Sequence, residues 1–252
     1  MRFLLLWATS IILLTGTTAY AQSNDEILSQ YQKGGLTFVR IKAVPDQEIG
    51  GMLVKEIYNR LKIPVTIRIM PGKRALDSAS TGLVDGESVR IAKIQELFPT
   101  LIRLSPPISF VEGSVFVKNR DIKVDGWSSL SQYKIGRVRG VQYVADGTKG
   151  FKHVQVVQGD ALISILNAGR VDLVVTARYN GLYQLRKLNL QNLIRPLSPP
   201  VITLDLHNYL HVKHKSLVPI VEELLREMHT NGELRELRDQ FMETTLANIN
   251  SK

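Results

Sequence analysis

Apolar residues change their spacing repeatedly along this chain, and each change marks an element. Leu36 to Ile41 is rich in β-branched and aromatic residues and predicts a strand. Ile49, Met52, Leu53, Ile57 and Leu61 then recur at the spacing of one helical face, with Asp46 placed to cap that helix. Pro64 stops it, and Val65 to Met70 predicts a second strand. A short helix around Arg74 to Ser80 ends at Gly82, and Leu83-Val84 starts a further strand into Asp85-Gly86. Ile91 to Phe98 reads as helix again, closed by Pro99. Alternating strand and helix predicts an α/β fold with a largely parallel sheet.

The second half of the chain echoes the first. Ala75-Leu76 to Gly82-Leu83-Val84-Asp85 and Leu162 to Gly169-Arg170-Val171-Asp172 both read as helix, glycine stop, strand start. The second copy runs on into an apolar strand, Val171 to Thr176, and Val115 to Val117 lies between the copies as a crossing strand. Two similarly built lobes follow from that order. The tail is helical: Leu217, Ile220, Val221, Leu224, Leu225 and Met228 form one stripe, Asn231-Gly232 ends it, and Leu234, Leu237 and Phe241 form another. Both stripes need cover, which the sheet of the first lobe is expected to give.

The first residues carry an address. Met1-Arg2 is charged, Phe3 to Leu14 is nearly all apolar, and Ala19-Tyr20-Ala21 is a small-residue cleavage site. That order is a secretory signal peptide, with cleavage expected after Ala21; the apolar run is well short of the roughly 20 residues a membrane span needs. Cleavage removes Arg2 and lowers the net charge of +9 by one. The basic residues are scattered singly, as in Lys33, Arg40, Lys42, Lys55, Arg60 and Lys62, so the excess reads as a solvated surface and nucleic acid is not an expected partner. The chain has no cysteine, which excludes disulfides, thiolate metal sites and a lipidated N-terminal cysteine as membrane anchor. A soluble exported protein of this kind is expected in the periplasm.

In order and spacing, several phrases resemble the polar-amino-acid family of bacterial periplasmic solute-binding proteins. They are Arg74-Ala75-Leu76, then Gly82-x-x-Asp85-Gly86 and Arg90, then Ser105-Pro106-Pro107-Ile108 before the crossing strand. Leu130 to Gly140, Gly159-Asp160-Ala161-Leu162 through Asp172, and Tyr209-Leu210-His211-Val212-Lys213 follow. The resemblance implies a type II periplasmic-binding fold. It places residues 22–114 with 206–252 in a discontinuous first lobe, and residues 115–205 in an inserted second lobe. Hinged closure of the lobes on a small solute, delivered to an inner-membrane permease or sensor receptor, is the mechanism it implies, in a monomer without cofactor.

The same resemblance nominates site residues. Relatives hold the ligand's carboxylate with an arginine of the first lobe and with amides after a glycine in the second. Arg139-Gly140-Val141-Gln142 occupies the latter place, either as an anion site or as an ordinary turn. Arg90 is the nearest arginine, either facing the cleft or pairing with Glu87; Arg74 is a further candidate at a helix start. Relatives place an ammonium-binding aspartate beyond the second-lobe strand, where this chain has Thr176-Ala177-Arg178. The usual cleft aromatic is missing at Lys42-Ala43-Val44-Pro45, and Tyr143 or Tyr179 is left to stack on ligand or simply to pack. An anionic or carboxylate-bearing solute is therefore expected, with Arg178 on the second lobe, rather than a standard α-amino acid. His207, His211 and His214 have helical spacing but no carboxylate cluster beside them, so surface histidines are expected and no metal site. No Ser-His-Asp order, phosphate loop or H-E-x-x-H motif is present, and carboxylates such as Glu87 or Glu112 alone do not make an active site. A dehydratase or lyase on the same fold is the enzymatic alternative, and a degenerate fold that only docks a membrane partner is the third reading.

Overall fold

The computed structural model describes residues 24–250. The leader predicted over residues 1–21 lies outside the described residues. Helix α1 covers 24–34. There follow β1 (Leu36–Ile41), α2 (Pro45–Arg60), β2 (Val65–Met70), α3 (Gly72–Ser80), β3 (Gly86–Ile91), α4 (Ile94–Leu97), β4 (Leu101–Arg103) and the long β5 (Ser109–Lys118). Next are β6 (Ile135–Val138), α5 (Gln142–Gly147), β7 (His153–Val156), α6 (Gly159–Asn167), β8 (Leu173–Ala177), α7 (Arg178–Lys187) and β9 (Ile194–Pro196). The long β10 (Ile202–His211) precedes the tail helices α8 (Val218–Thr230) and α9 (Glu233–Ala247). No helix among the described residues is long and apolar enough to cross a membrane.

Two groups of parallel strands are joined by the two long antiparallel ones. The sheet order is β2-β1-β3-β10-β5-β8-β6-β7, with β4 on β10 and β9 on β5. β1 is parallel to β2 and β3, and β6 is parallel to β7 and β8. Ile202–Leu206 of β10 pairs antiparallel with Ser109–Gly113 of β5. Beyond that shared stretch the two strands part: β10 runs on along β3 and β4, and β5 runs on along β8. Burial follows this division. Both strands are partly solvent-facing where they pair with each other and fully buried further on, over Leu206–Leu210 and Gly113–Val117. A strand covered on both faces belongs to a core; the half-covered stretch bridges two cores.

Each half packs a helix hard against a strand, and a glycine lets it do so. A Cβ on Gly50 of α2 would lie 2.3 Å from a methyl of Val89 on β3, and a Cβ on Gly181 of α7 would lie 2.1 Å from the Phe116 ring on β5. The tail stripes are covered mainly by helix α2 rather than by the sheet expected to cover them. Ile220, Val221, Leu225 and Met228 of α8 and Leu234 of α9 share one buried cluster with Ile49, Leu53, Val54 and Ile57 of α2. An ion pair from Arg60 to Glu233 ties the same elements at the rim. Ala177 and Tyr179, at the β8–α7 junction, join that cluster, so the tail also reaches the second group of strands.

Local readings shift in three places. Helix α2 starts at Pro45 with Val44 as its extended N-cap, so Asp46 sits in the first turn and caps nothing. Proline is favoured at the first helical position because its missing N–H is not needed there. The strand expected at Leu83-Val84 begins at Gly86, because Asp85 holds both backbone groups of Thr37: its amide donates to Thr37 O at 2.7 Å, and its Oδ2 accepts from Thr37 N at 2.7 Å. The helix expected from Ile91 is only Ile94–Leu97, since the β3 ladder to β10 extends through Ile91.

Candidate functional site

Arginine and carboxylate side chains meet at two places, with different geometry. In β3, Glu87 is fully buried and its carboxylate takes two hydrogen bonds from Arg90, Nη2 to Oε1 at 2.9 Å and Nε to Oε2 at 3.1 Å. Arg90 Nη2 also donates to the Gly72 carbonyl at 3.0 Å, which fastens β3 to the start of α3. Burial pushes the Glu87 carboxyl above its ordinary range, and the Arg90 charge opposes that rise. This fork is closed: the Arg90 side chain is 12% exposed. Arg74 stands exposed in the first turn of α3.

The second place lies where α2, β5, α7 and α9 converge, on the bridging stretch of sheet. A cavity of about 140 Å³ is lined by Asp46, Phe110, Glu112, Arg178, Leu182 and Arg238, among others. The amide of Asp46 donates to Asn180 Oδ1 at 2.9 Å, joining the starts of α2 and α7. Asp46 Oδ2 is buried and has no hydrogen-bond partner among the described residues. Burial raises the Asp46 carboxyl to about 7, against the pull of Arg238. Arg238 is engaged, donating to Ser109 Oγ at 3.1 Å and Asp239 Oδ1 at 3.0 Å, with its guanidinium 3.9 Å over the Phe110 ring. Arg178 is held more loosely: its Nε is 3.9 Å from Glu112 Oε2, and the side chain is 40% exposed.

The remaining nominated residues surround this junction unequally. Tyr143 of α5 reaches the bridge, where a Cβ on Gly113 would lie 3.0 Å from its ring, and burial followed by the Asp46 charge pushes its hydroxyl upward. Tyr179 is buried at the head of α7. Gly140 has φ of 86° and lies open with Arg139, while Gln142 donates to Asp146 Oδ1 at 2.6 Å. The helix these residues start, α5, is six residues long.

The histidines depart from their expected surface positions. His207 is 7% exposed, its Nδ1 is 2.8 Å from Leu104 O, and burial lowers its pKa. His214 links Asp85 Oδ1 at 2.7 Å to the Tyr31 hydroxyl at 3.1 Å, fastening α1 to the sheet. Among the described residues no group of three or more His, Cys, Asp or Glu is placed to hold a metal ion.

Sequence reasoning missed Asp46, Asn180 and Arg238 as members of the junction. Asp46 had the ordinary look of a helix cap. Arg238 carries a faint signal, a charge one residue beyond Leu237 within the apolar stripe of α9.

No protein-family model matches the chain, and no curated protein matches it in sequence. Solved structures do. An amino acid ABC transporter substrate-binding protein, AbpA from Streptococcus pneumoniae, bound to L-arginine, superposes with a TM-score of 0.67 at 17% identity, over 88% of this chain and 99% of that one. The fold is that of the periplasmic binding proteins. A histidine kinase sensor domain described as similar to periplasmic binding proteins gives a TM-score of 0.66 at 18% identity, over 82% of this chain and 95% of that one. The VFT2 domain of BvgS from Bordetella pertussis gives 0.66 at 13% identity, over 88% and 97%. The two-lobed α/β architecture is thus shared by a transport protein and by sensor domains, and at these identities the likeness concerns the fold.

Proposed function

We propose that this chain is a periplasmic solute-binding protein whose lobes, residues 22–114 with 206–252 and residues 115–205, close on a small carboxylate-bearing solute. As a monomer it presents that solute to an inner-membrane permease or sensor receptor, and it performs no catalysis. The observation that carries this reading is the junction itself. Helix starts from both groups of strands, α2 and α7, meet over the stretch where β5 and β10 pair, and a lined cavity lies between them. In such a fold a small rotation about two bridging strands opens or closes everything placed there.

Arg178 is the residue best placed to take the carboxylate. Its contact with Glu112 is long and half-exposed, so a ligand carboxylate in bidentate geometry competes favourably for the guanidinium. Arg90, by contrast, serves the first lobe through its bonds to Glu87 and Gly72. The arginine seen in the AbpA structure also carries a carboxylate, in keeping with this class of solute. Thermal-shift screening and calorimetry against small carboxylates, with product analysis of every binder, test the proposal. Saturable binding with the ligand recovered intact is expected; turnover of the ligand overturns it in favour of an enzyme, and the absence of any binder favours a docking-only protein.

A further inference from the structure

Resting on the two-lobe reading, we infer that closing the lobes takes up a proton at Asp46, so that mild acid favours the closed arrangement and a rise in pH releases it. The proton thereby becomes a second effector of closure, beside the solute.

Asp46 sits on the contact that closure makes. Its amide donates to Asn180 Oδ1 at 2.9 Å, which bonds the first turn of α2 to the first turn of α7. Helix α2 packs on β1, β2 and β3, whereas α7 packs on β5, β8 and β9. Asp46 Oδ2 is buried there and has no donor among the described residues, and Leu182 of α7 and Met242 of α9 wall the cavity beside it. A carboxylate oxygen taken out of water without a donor is costly, whereas a protonated carboxyl in the same place carries no charge to desolvate. Parting α2 from α7 breaks the Asn180 contact and returns the oxygen to water. The two arrangements thus hold the proton with different strength, and by linkage the proton biases them in return.

The groups facing Asp46 leave the proton to it. Arg238 of α9 opposes protonation, but it is engaged by Ser109, Asp239 and the Phe110 ring and leaves Asp46 Oδ2 without a donor. Arg178 of α7 leans toward Glu112 of β5. Tyr143 of α5 and Tyr179 of α7 bring hydroxyls that burial pushes upward, Tyr179 to about 12, so neither titrates near neutrality. No histidine lines the cavity among the described residues. Burial outweighs Arg238 and raises the Asp46 carboxyl from 3.8 to about 7. The closed form is therefore favoured in full below the lower value and loses that advantage as pH rises to the upper one. Over that interval the closed-to-open ratio falls by about tenfold per pH unit.

The chain has no cysteine, so spin labels on Lys73→Cys and Val157→Cys, both exposed, report the distance between the two groups of strands in the full mature chain. Pulsed electron resonance is run without solute between about pH 5 and about pH 8. The labelled chain is expected to move from a short-distance to a long-distance population as pH rises, and to stop moving above about 7. Asp46→Asn, neutral at every pH, is expected to hold the short population throughout. Asn180→Ala removes the acceptor of the Asp46 amide, weakens the closed form and keeps both populations visible where the parent chain stays closed. Two populations whose ratio ignores pH in both backgrounds, or a pH response unchanged by Asp46→Asn, overturn the inference and leave the two-lobe reading intact. One fixed distance at every pH, and with every carboxylate of the binding screen, overturns that reading and this inference with it.

Discussion

Two clusters in this protein use the same chemistry, an arginine beside a buried carboxylate, and differ only in geometry. Glu87 and Arg90 lie three residues apart on β3 and form a closed fork at 2.9 and 3.1 Å. Asp46, Glu112, Arg178 and Arg238 come from four elements, with a contact of 3.9 Å between Arg178 and Glu112 and a carboxylate oxygen left without a donor. A closed pair within one strand, bonded also to the start of α3, supports the local structure. A loose set drawn from α2, β5, α7 and α9 is free to exchange a protein partner for a ligand. Residue type alone does not separate these roles; the number of hydrogen bonds already made does.

The contrast is broken most directly by truncating the closed pair. Arg90→Ala leaves Glu87 buried without a counter-charge and is expected to destabilise the fold by roughly 3–5 kcal/mol, read by urea denaturation. Replacing both residues with apolar ones of similar size is expected to recover most of that loss. A folded Arg90→Ala protein of unchanged stability, with weakened ligand binding, would move Arg90 into the site.

Asp85 gives a second closed acid for calibration. Burial tends to raise its pKa, but hydrogen bonds from His214, Lys213 and the Thr37 amide outweigh that and hold the carboxyl well below the usual range. The stability this contributes is complete above the unfolded value of 3.8 and is lost as pH falls below it. Asp85→Asn is expected to cost about 1–3 kcal/mol at neutral pH and to flatten the acid limb of the stability curve. An unchanged acid limb would remove Asp85 from the account.

Asp46 is expected to behave in the opposite sense. Its carboxyl is raised from 3.8 to about 7, so the folded state favours the protonated form and loses stability as pH rises between those values. The groups facing it are Arg238 from α9, Tyr143 from α5 and Tyr179 from α7. Asp46→Asn is therefore expected to raise the melting temperature most near pH 8, with a gain on the order of a few kcal/mol, and by less near pH 5.

The smallest stability change is expected at Arg178. Removing a half-exposed, distantly paired arginine changes folding by about 0.5 kcal/mol or less. Carboxylate affinity is nonetheless expected to fall at least tenfold, or about 1.4 kcal/mol, by calorimetry. A large loss of stability with affinity intact would make Arg178 structural and dissolve the contrast with Arg90.

Much of the fold is legible in the order of residues along the chain. The stripes of α2, α8 and α9, the strands β1 and β2 and the crossing role of β5 follow from hydrophobic period and punctuation, which are local properties of neighbouring residues. Boundaries slip where a distant partner intervenes: Asp85 clamps Thr37 and delays β3, and pairing with β10 carries β3 through Ile91. The candidate site is legible only in part. Arg178 stands out because a resemblance gives its position a meaning, whereas Asp46 and Arg238, far apart in sequence, carry no mutual signal.

The sequence by itself determined the alternation of elements, the two similar halves and the supply of arginines and acids on them, because each rests on residues within a turn or two of one another. Tertiary structure alone decided which charges were spent and which remained available. Pairing between Glu87 and Arg90 accompanies a register shift in the β3–β10 ladder and brings in Gly72, and the Asp46 junction depends on four elements meeting. Those are long-range distances, and hydrogen bonding and electrostatics at a buried site are set by distance and by the exclusion of water, neither of which a local pattern encodes.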